Sequence, residues 1–486
     1  MDIMRLNLTD IADGFRRKEW SSREITETCL DQAERAAGET HAYVELSRDR
    51  ALTAAAEADG RYAAGRPLSA VDGVPLGIKD CLLVAGAHAT AASAILKDYL
   101  APYDATAVSR LRQAGAVFLG KTNMDEFAMG STTETSCHGP SRNPWDTSRI
   151  PGGSSGGSAV AVAEGSAVAA LGSDTGGSVR QPAAMCGIVG FKPTYGRVSR
   201  YGLIAMASSL DQVSPITRSV TDAAILLRVM EGHDPRDATS VPLKLEWSLP
   251  ESFDESLRGL RIGLPAEYFV SGLDPQVERT VREAISRLED LGAEIREISL
   301  PHTEYALAVY YIIMPCEVSA NLARFDGIRY GRRVSGADLE DTYRRSRGQG
   351  FGKEVRRRII LGTYALSSGY YDAYYLRAMK VRRLIANDFA RAFDDVDCIV
   401  TPTVPTTAWK LGEKLDDPLA MYLSDVYTVS ANVAGLPAIS IPCGLVDGLP
   451  VGLQIMGRHF DDKTVLGTAY AYEKAYGGPG RFAAPR

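Results

Sequence analysis

The stretch that most constrains this chain is residues 152–182, GGSSGGSAVAVAEGSAVAALGSDTGGSVRQP, in which two glycine-serine loops flank a run of small apolar residues. Glycine lets a backbone approach a ligand closely and adopt positive φ, and serine supplies a hydroxyl that can be a nucleophile or a proton relay. The first seven residues would also suit a flexible linker. The following run argues against that. Ala159 to Leu171 is rich in alanine and valine with only Glu164 charged, which predicts a closely packed interior helix.

The rest of the chain reads as scaffold for this stretch. Its 486 residues, 45% apolar and 23% charged, suit a globular protein with a large core. Length alone predicts about three domains, yet no linker-like segment divides the sequence. With 54 basic and 60 acidic residues the formal charge is −6, so the basic footprint of a direct nucleic-acid binder is missing and any RNA connection would run through a partner. Seven scattered cysteines without a CxxC pair fit reduced cytosolic thiols better than a disulfide framework or a zinc site. The N-terminus has no apolar leader, and no run of about 18 apolar residues is evident, so neither secretion nor a membrane span is expected. The expected location is the cytoplasm.

Along the chain, Thr9 predicts the cap of a first helix, Ser21 or Ser22 the cap of a second reaching about Ala36, and Ser47 to Ala64 a long alanine-rich helix. Val74 to Ile78 reads as a buried strand that ends at Lys79-Asp80. Ala105 to Gln113 is helical and Ala116 to Leu119 a short strand. Arg261 to Pro265, Pro275 to Leu291 and Ala293 to Pro301 form a strand-helix-strand unit, the alternation of an α/β sheet layered with helices. Residues 303–395 are largely helical and aromatic.

Two patterns invite misreading. Gly115 to Thr122 fits the phosphate loop GxxxxGK[ST], but its four inner residues are strand-like and cannot cradle a phosphate. Gly153 to Gly157 fits the GxSxG nucleophile elbow, but no apolar strand precedes it, and the later histidines, His233, His302 and His459, lie in no site-like stretch. A third assignment needs no histidine. Ser178 follows two glycines whose N–H groups can face a developing oxyanion. Lys79, if buried, loses the solvation that keeps it charged and becomes a base. It could then draw a proton from Ser154, which draws one from Ser178.

GGSSGGSAVAVAEG, the following GSDTGGSVRQPAAMCGIVGFKPTYGRVSRYGL and the upstream VDGVPLGIKD resemble the amidase signature family over nearly the whole chain. That resemblance implies a single large α/β domain with a mixed sheet covered by helices on both faces. Its catalytic core would occupy about 65–235 and 390–480, and a largely helical substrate and partner segment about 303–390. It implies Ser178 as nucleophile, Ser154 as bridging serine after a non-proline cis peptide, Lys79 as base, and Thr175, Gly176, Gly177 and the Ser178 N–H as oxyanion hole. No metal is implied.

GKTNMDEFAMGSTTE, GFGKEVRRRIILGTYALSSGYYDAYY and DDPLAMYLSDVYTVSANVAGLPAISIP are similar to the glutaminase branch of that family, which supplies ammonia to tRNA-dependent amidation. The branch implies a heterotrimer in which this chain joins the B and C subunits of an amidotransferase. ATP, magnesium and the misacylated tRNA would be handled by the first of these two, with no cofactor in this chain. It further implies that Arg358 takes the carboxylate of glutamine, Asp425 its ammonium, and that Tyr310 or Tyr311 lines the pocket. Met314, Cys316 and Val429 to Asn432 depart from the branch's pattern. A stand-alone amidase and a catalytically idle scaffold are the alternatives, and the charged pair Arg358 and Asp425 speaks against the first.

Overall fold

A computed structural model describes residues 6–243, 253–269 and 272–477. One sheet runs through all of it. Its eleven strands are β1 (Tyr43–Leu46), β2 (Pro75–Lys79), β3 (Val117–Thr122), β4 (Ala169–Asp174), β5 (Val189–Lys192), β6 (Gln212–Thr217), β7 (Arg261–Pro265), β8 (Glu294–Ile298), β9 (Cys398–Pro402), β10 (Ala438–Val446) and β11 (Leu449–Gly457). They lie in the order β1-β3-β2-β4-β6-β5-β10-β11-β9-β7-β8. The sheet is mixed: β2 is parallel to β3 and β4, and β7 to β8 and β9, while the remaining pairs are antiparallel. The fold is therefore a single α/β domain, and the domain number suggested by length is corrected by this shared sheet. The end of the expected core segment, 478–480, lies outside the described residues.

The parallel triplet β3-β2-β4 positions the chemistry. Its strands are buried at every position, which requires apolar or small side chains on both faces. Leu76 pairs with Ala169 and Ile78 with Leu171, so β2 and β4 end at the same edge. Lys79 closes β2 there, and Ser173 and Asp174 close β4.

Three expectations are corrected. The small apolar run is two elements: a helix, Gly156–Ala163, and then β4. Gly165, at φ +80°, turns the chain between them, and a left-handed glycine is a common helix stop. A short buried apolar run carries no period that would separate helix from strand. The first helix is Leu8–Arg17, capped by Asn7 and not by Thr9, and the Asn7 N–H donates to the Asp10 carboxylate at 2.9 Å. The helical run Pro301–Arg324 is long and apolar enough by composition to cross a membrane. Half of its apolar window is buried, and it packs on the helices Lys353–Leu366 and Arg377–Asp395 as a core helix does.

The other elements stand where expected, including the helices Ser22–Ala36, Arg48–Ala63, Thr106–Gln113 and Pro275–Asp290. The phosphate-loop pattern is indeed strand β3. Its Lys121 is buried, donating to the carbonyls of Leu82 at 2.8 Å and His88 at 3.1 Å, with Asp80 Oδ1 3.3 Å away.

Candidate active site

Lys79 is fully buried at the end of β2. Its Nζ lies 2.8 Å from Ser154 Oγ, 2.8 Å from Ser155 Oγ, 2.9 Å from Ser173 Oγ and 3.3 Å from the Ser173 carbonyl. Burial pushes the Lys79 ammonium down, and the nearby Cys81, Asp125, Asp174 and Asp211 offset only part of that push. Among the described residues no carboxylate pairs with the amine directly, so burial shifts its balance toward the neutral form. A neutral amine has two N–H groups to donate and one lone pair to accept. Ser155 can donate to the Ser173 carbonyl at 3.2 Å, and the Ser154 and Ser173 hydroxyls, at 2.8 and 2.9 Å, are then the two able to donate to that lone pair, Ser154 being the one on the loop facing Ser178.

The two serine loops are held against each other by backbone. The Gly153–Ser154 peptide is cis. A Cβ on Gly153 would stand 2.2 Å from Asp125 Oδ2 and 2.7 Å from the Thr132 nitrogen, so only glycine fits. The Gly153 N–H donates to Gln181 Oε1 at 3.0 Å, and the Ser155 N–H to the Ser178 carbonyl at 3.1 Å. Ser154 is fully buried, and Ser178 nearly so, with 8% of its surface exposed. Lys79 and Ser154 are thus in hydrogen-bond contact, while no hydrogen bond joins the Ser154 and Ser178 side chains among the described residues. Such bonds tighten when substrate binds.

The loop Thr175–Ser178 is clamped by a buried ion pair. Arg180 donates to both oxygens of Asp174, at 3.0 and 2.9 Å. Burial alone would raise the Asp174 pKa, but Arg180 overrides it and holds the carboxyl well below its usual range. The Gly177 N–H is already donated to Asp174 Oδ1 at 2.9 Å. Of the four expected oxyanion-hole N–H groups, that of Gly177 is thus engaged within the loop. Gly176 is required by packing, because a Cβ there would lie 2.6 Å from the Tyr310 ring.

Arg358 and Asp425 are both buried, whereas Arg356 is exposed and Arg357 half-buried in the same RRR run. Arg358 Nε donates to Glu354 Oε1 at 2.8 Å, and its guanidinium carbon lies 5.4 Å from the Tyr311 ring centre and 5.5 Å from that of Tyr422. Asp425 accepts from Ser131 Oγ at 2.9 and 3.1 Å and from Tyr311 OH at 2.9 Å. Burial pushes the Asp425 carboxyl up to about 6, held back by those hydroxyls and by Arg358. A cavity of about 220 Å³ opens beside Arg358, lined by Ser131, Glu354 and Tyr422 among others. Of the two tyrosines, Tyr310 packs on Gly176 and Tyr311 reaches Asp425. Sequence reasoning missed Ser155, Ser173, Ser131, Glu354 and Tyr422. It also missed the Asp174–Arg180 clamp, whose signal was present in DTGGSVR. Met314, one of the departures noted above, puts its sulfur 3.6 Å from Arg358 Nη1.

The three later histidines are engaged elsewhere. His233 meets the Ser240 carbonyl, His302 pairs with Asp388, and His459 lies edge-on to Phe460.

A lysine and serine loops of this kind at one sheet edge define a Ser-Ser-Lys amidohydrolase. The Amidase family pattern matches residues 24–466, and the chain belongs to the amidase signature family. More particularly, it is 55% identical over 475 residues to the A subunit of the glutamyl-tRNA(Gln) amidotransferase of Moorella thermoacetica, covering 98% of this chain and 97% of that one. It is 56% identical over 456 residues to the protein of that name from Chloroflexus aggregans, covering 94% and 93%. The crystal structure of the corresponding glutamyl-tRNA(Gln) amidotransferase protein from Thermotoga maritima superposes with a TM-score of 0.83 at 41% identity, covering 100% and 99%. The peptide amidase of Stenotrophomonas maltophilia gives 0.82 at 32% identity, covering 98% of each chain.

Proposed function

We propose that this chain is the glutamine-hydrolysing member of a tRNA-dependent amidotransferase, supplying ammonia for conversion of Glu-tRNA(Gln) to Gln-tRNA(Gln). The observation that carries the chemistry is the buried Lys79 amine 2.8 Å from Ser154 Oγ, one loop away from Ser178, which keeps a small exposed surface. Ser178 Oγ attacks the side-chain amide carbon of glutamine as its proton passes through Ser154 to Lys79. The N–H groups of Thr175, Gly176 and Ser178 hold the oxyanion. The C–N bond then breaks, the proton returns to the leaving nitrogen, and ammonia departs from a glutamyl ester. Water attacks that ester by the same relay, releasing glutamate and the free serine.

Substrate choice rests on the buried pair Arg358 and Asp425. A free amino acid presents a carboxylate and an ammonium, and the two charges match. A lipid or aryl amide offers no opposite charge to either side chain, leaving Arg358 with Glu354 alone and Asp425 with its hydroxyl donors. Relatives that are 54–56% identical and named for glutamyl-tRNA(Gln) support the same reading. In the heterotrimer the B and C subunits divide the remaining work: the former handles ATP, magnesium and tRNA, the latter holds the assembly together, and the enzyme works in the cytoplasm. The test is ammonia release from glutamine by the full chain, with and without those two partners. Wild type should release it and Ser178→Ala should not; equal rates would refute the assignment.

A further inference from the structure

We propose that Tyr311 is the positioning residue that joins Arg358 and Asp425 into one unit able to read both ends of an amino-acid substrate. The proposal rests on the glutaminase reading above. The three residues come from separate elements: Tyr311 from the helix Ala306–Asn321, Arg358 from the helix Lys353–Leu366, and Asp425 from the single turn Leu423–Asp425. The two helices dock closely, with Gly362 against the Pro315 carbonyl, but docking does not set the side-chain rotamers, and an arginine side chain left alone samples many of them.

Tyr311 closes the circuit with both of its ends. Its hydroxyl donates to Asp425 Oδ2 at 2.9 Å. Its ring stacks on Tyr422 at 4.0 Å between centres and 23° between planes, and the Arg358 guanidinium lies close to both rings. Tyr422 OH then donates to Glu354 Oε1 at 2.7 Å, the same oxygen that receives Arg358 Nε. Arginine is therefore held by a carboxylate on its Nε edge and by two aromatic rings. The aspartate is held by a hydroxyl of one of those rings. Displacing Tyr311 moves both charges.

Asp425 also meets the Ser131 and Ser424 hydroxyls, with Tyr310, Tyr311 and Arg358 as the titratable or charged groups facing it. Because Tyr311 donates to the ionised carboxylate, losing that hydroxyl raises the pH at which Asp425 takes up a proton. A tyrosine that merely filled space would have no such effect.

The experiment measures kinetics of the full chain, co-expressed with the other amidotransferase subunits, on three amides. These are glutamine, its analogue without the α-amino group, and its analogue without the carboxylate. Tyr311→Phe should raise KM for glutamine about tenfold, as expected for a lost bond to a charged group, with kcat nearly unchanged. The preference for glutamine over the des-amino analogue should narrow by a similar factor. The acid limb of kcat/KM should move to higher pH while that of kcat stays. Adding Tyr311→Phe to Asp425→Asn should cost nothing more. Tyr311→Leu should also narrow the preference over the decarboxy analogue, because the ring beside Arg358 is gone. The proposal is overturned if Tyr311→Phe keeps KM and preference at wild-type values, or lowers kcat and kcat/KM together with preference intact. If Arg358→Lys and Asp425→Asn also leave KM unmoved, the recognition reading itself fails, a separate outcome.

Discussion

Around Lys79 the contacts run between backbone and small side chains from residues 79, 125–135 and 153–181, whereas around Arg358 and Asp425 they run mostly between large side chains at 311, 354–358 and 422–425, with the Ser131 and Ser424 hydroxyls added. The first region is cut to shape by glycine: a Cβ at Gly153, Gly156, Gly172 or Gly176 would fall within 3.0 Å of a neighbour. The second is assembled from rings, a guanidinium and carboxylates that meet only after the helices dock. Proton transfer depends on sub-ångström placement, so its region tolerates almost no change. Recognition by charge and stacking degrades more gradually. Substitutions in the first region should therefore act on kcat, and those in the second on KM.

The largest expected effect is at Lys79. Lys79→Met should lower glutaminase kcat by about 10³-fold or more, the scale of losing a general base from a serine relay. Melting of the variant should be unchanged or raised, because a desolvated amine has been removed. A variant that kept activity would place the base elsewhere. Next, Gly176→Ala should cost about 10–100-fold in kcat by pushing Tyr310 against the oxyanion loop. Gly348→Ala, in a helix with nothing within 4 Å of the added methyl, should leave kinetics untouched.

Arg358→Lys should raise KM for glutamine about tenfold and change kcat far less, since a lysine cannot reproduce the fork and stack of the guanidinium. A fall in kcat of the same size would erase the proposed division. The smallest effect is in pH. Asp425 is neutral below about 6, so KM should rise as pH falls through that value, and Asp425→Asn should flatten the profile. The sign for stability is opposite: a carboxyl whose folded pKa is raised stabilises the fold at low pH and loses that contribution as pH rises through 6. Without glutamine, Asp425→Asn should therefore melt slightly higher than wild type at pH 7.

The same contrast explains what the sequence made legible. Lys79 stands directly after an apolar strand, and Ser154 and Ser178 lie in glycine loops within one short stretch, so local pattern located all three. Ser173 was hidden because β4 was read as the continuation of a helix. Ser155 was visible only as the serine of a misleading elbow pattern. Arg358 is one of three consecutive arginines, and nothing in VRRRI distinguishes the buried one from its neighbours. Its aromatic and acidic partners come from positions 311, 354 and 422, and such side-chain meetings are set by tertiary packing. The resemblance to a known family supplied Arg358 and Asp425; composition and period could not.

The central claim is that Ser178, and not the neighbouring Ser154 or Ser155, carries the glutamyl group while Lys79 draws protons through Ser154. Rapid acid quench of the enzyme during glutamine turnover, followed by peptide mass mapping, tests it directly. A glutamyl ester on Ser178 is expected in wild type and none in Ser178→Ala. An ester on Ser155 or Ser154, or one that persists in Ser178→Ala, would contradict it.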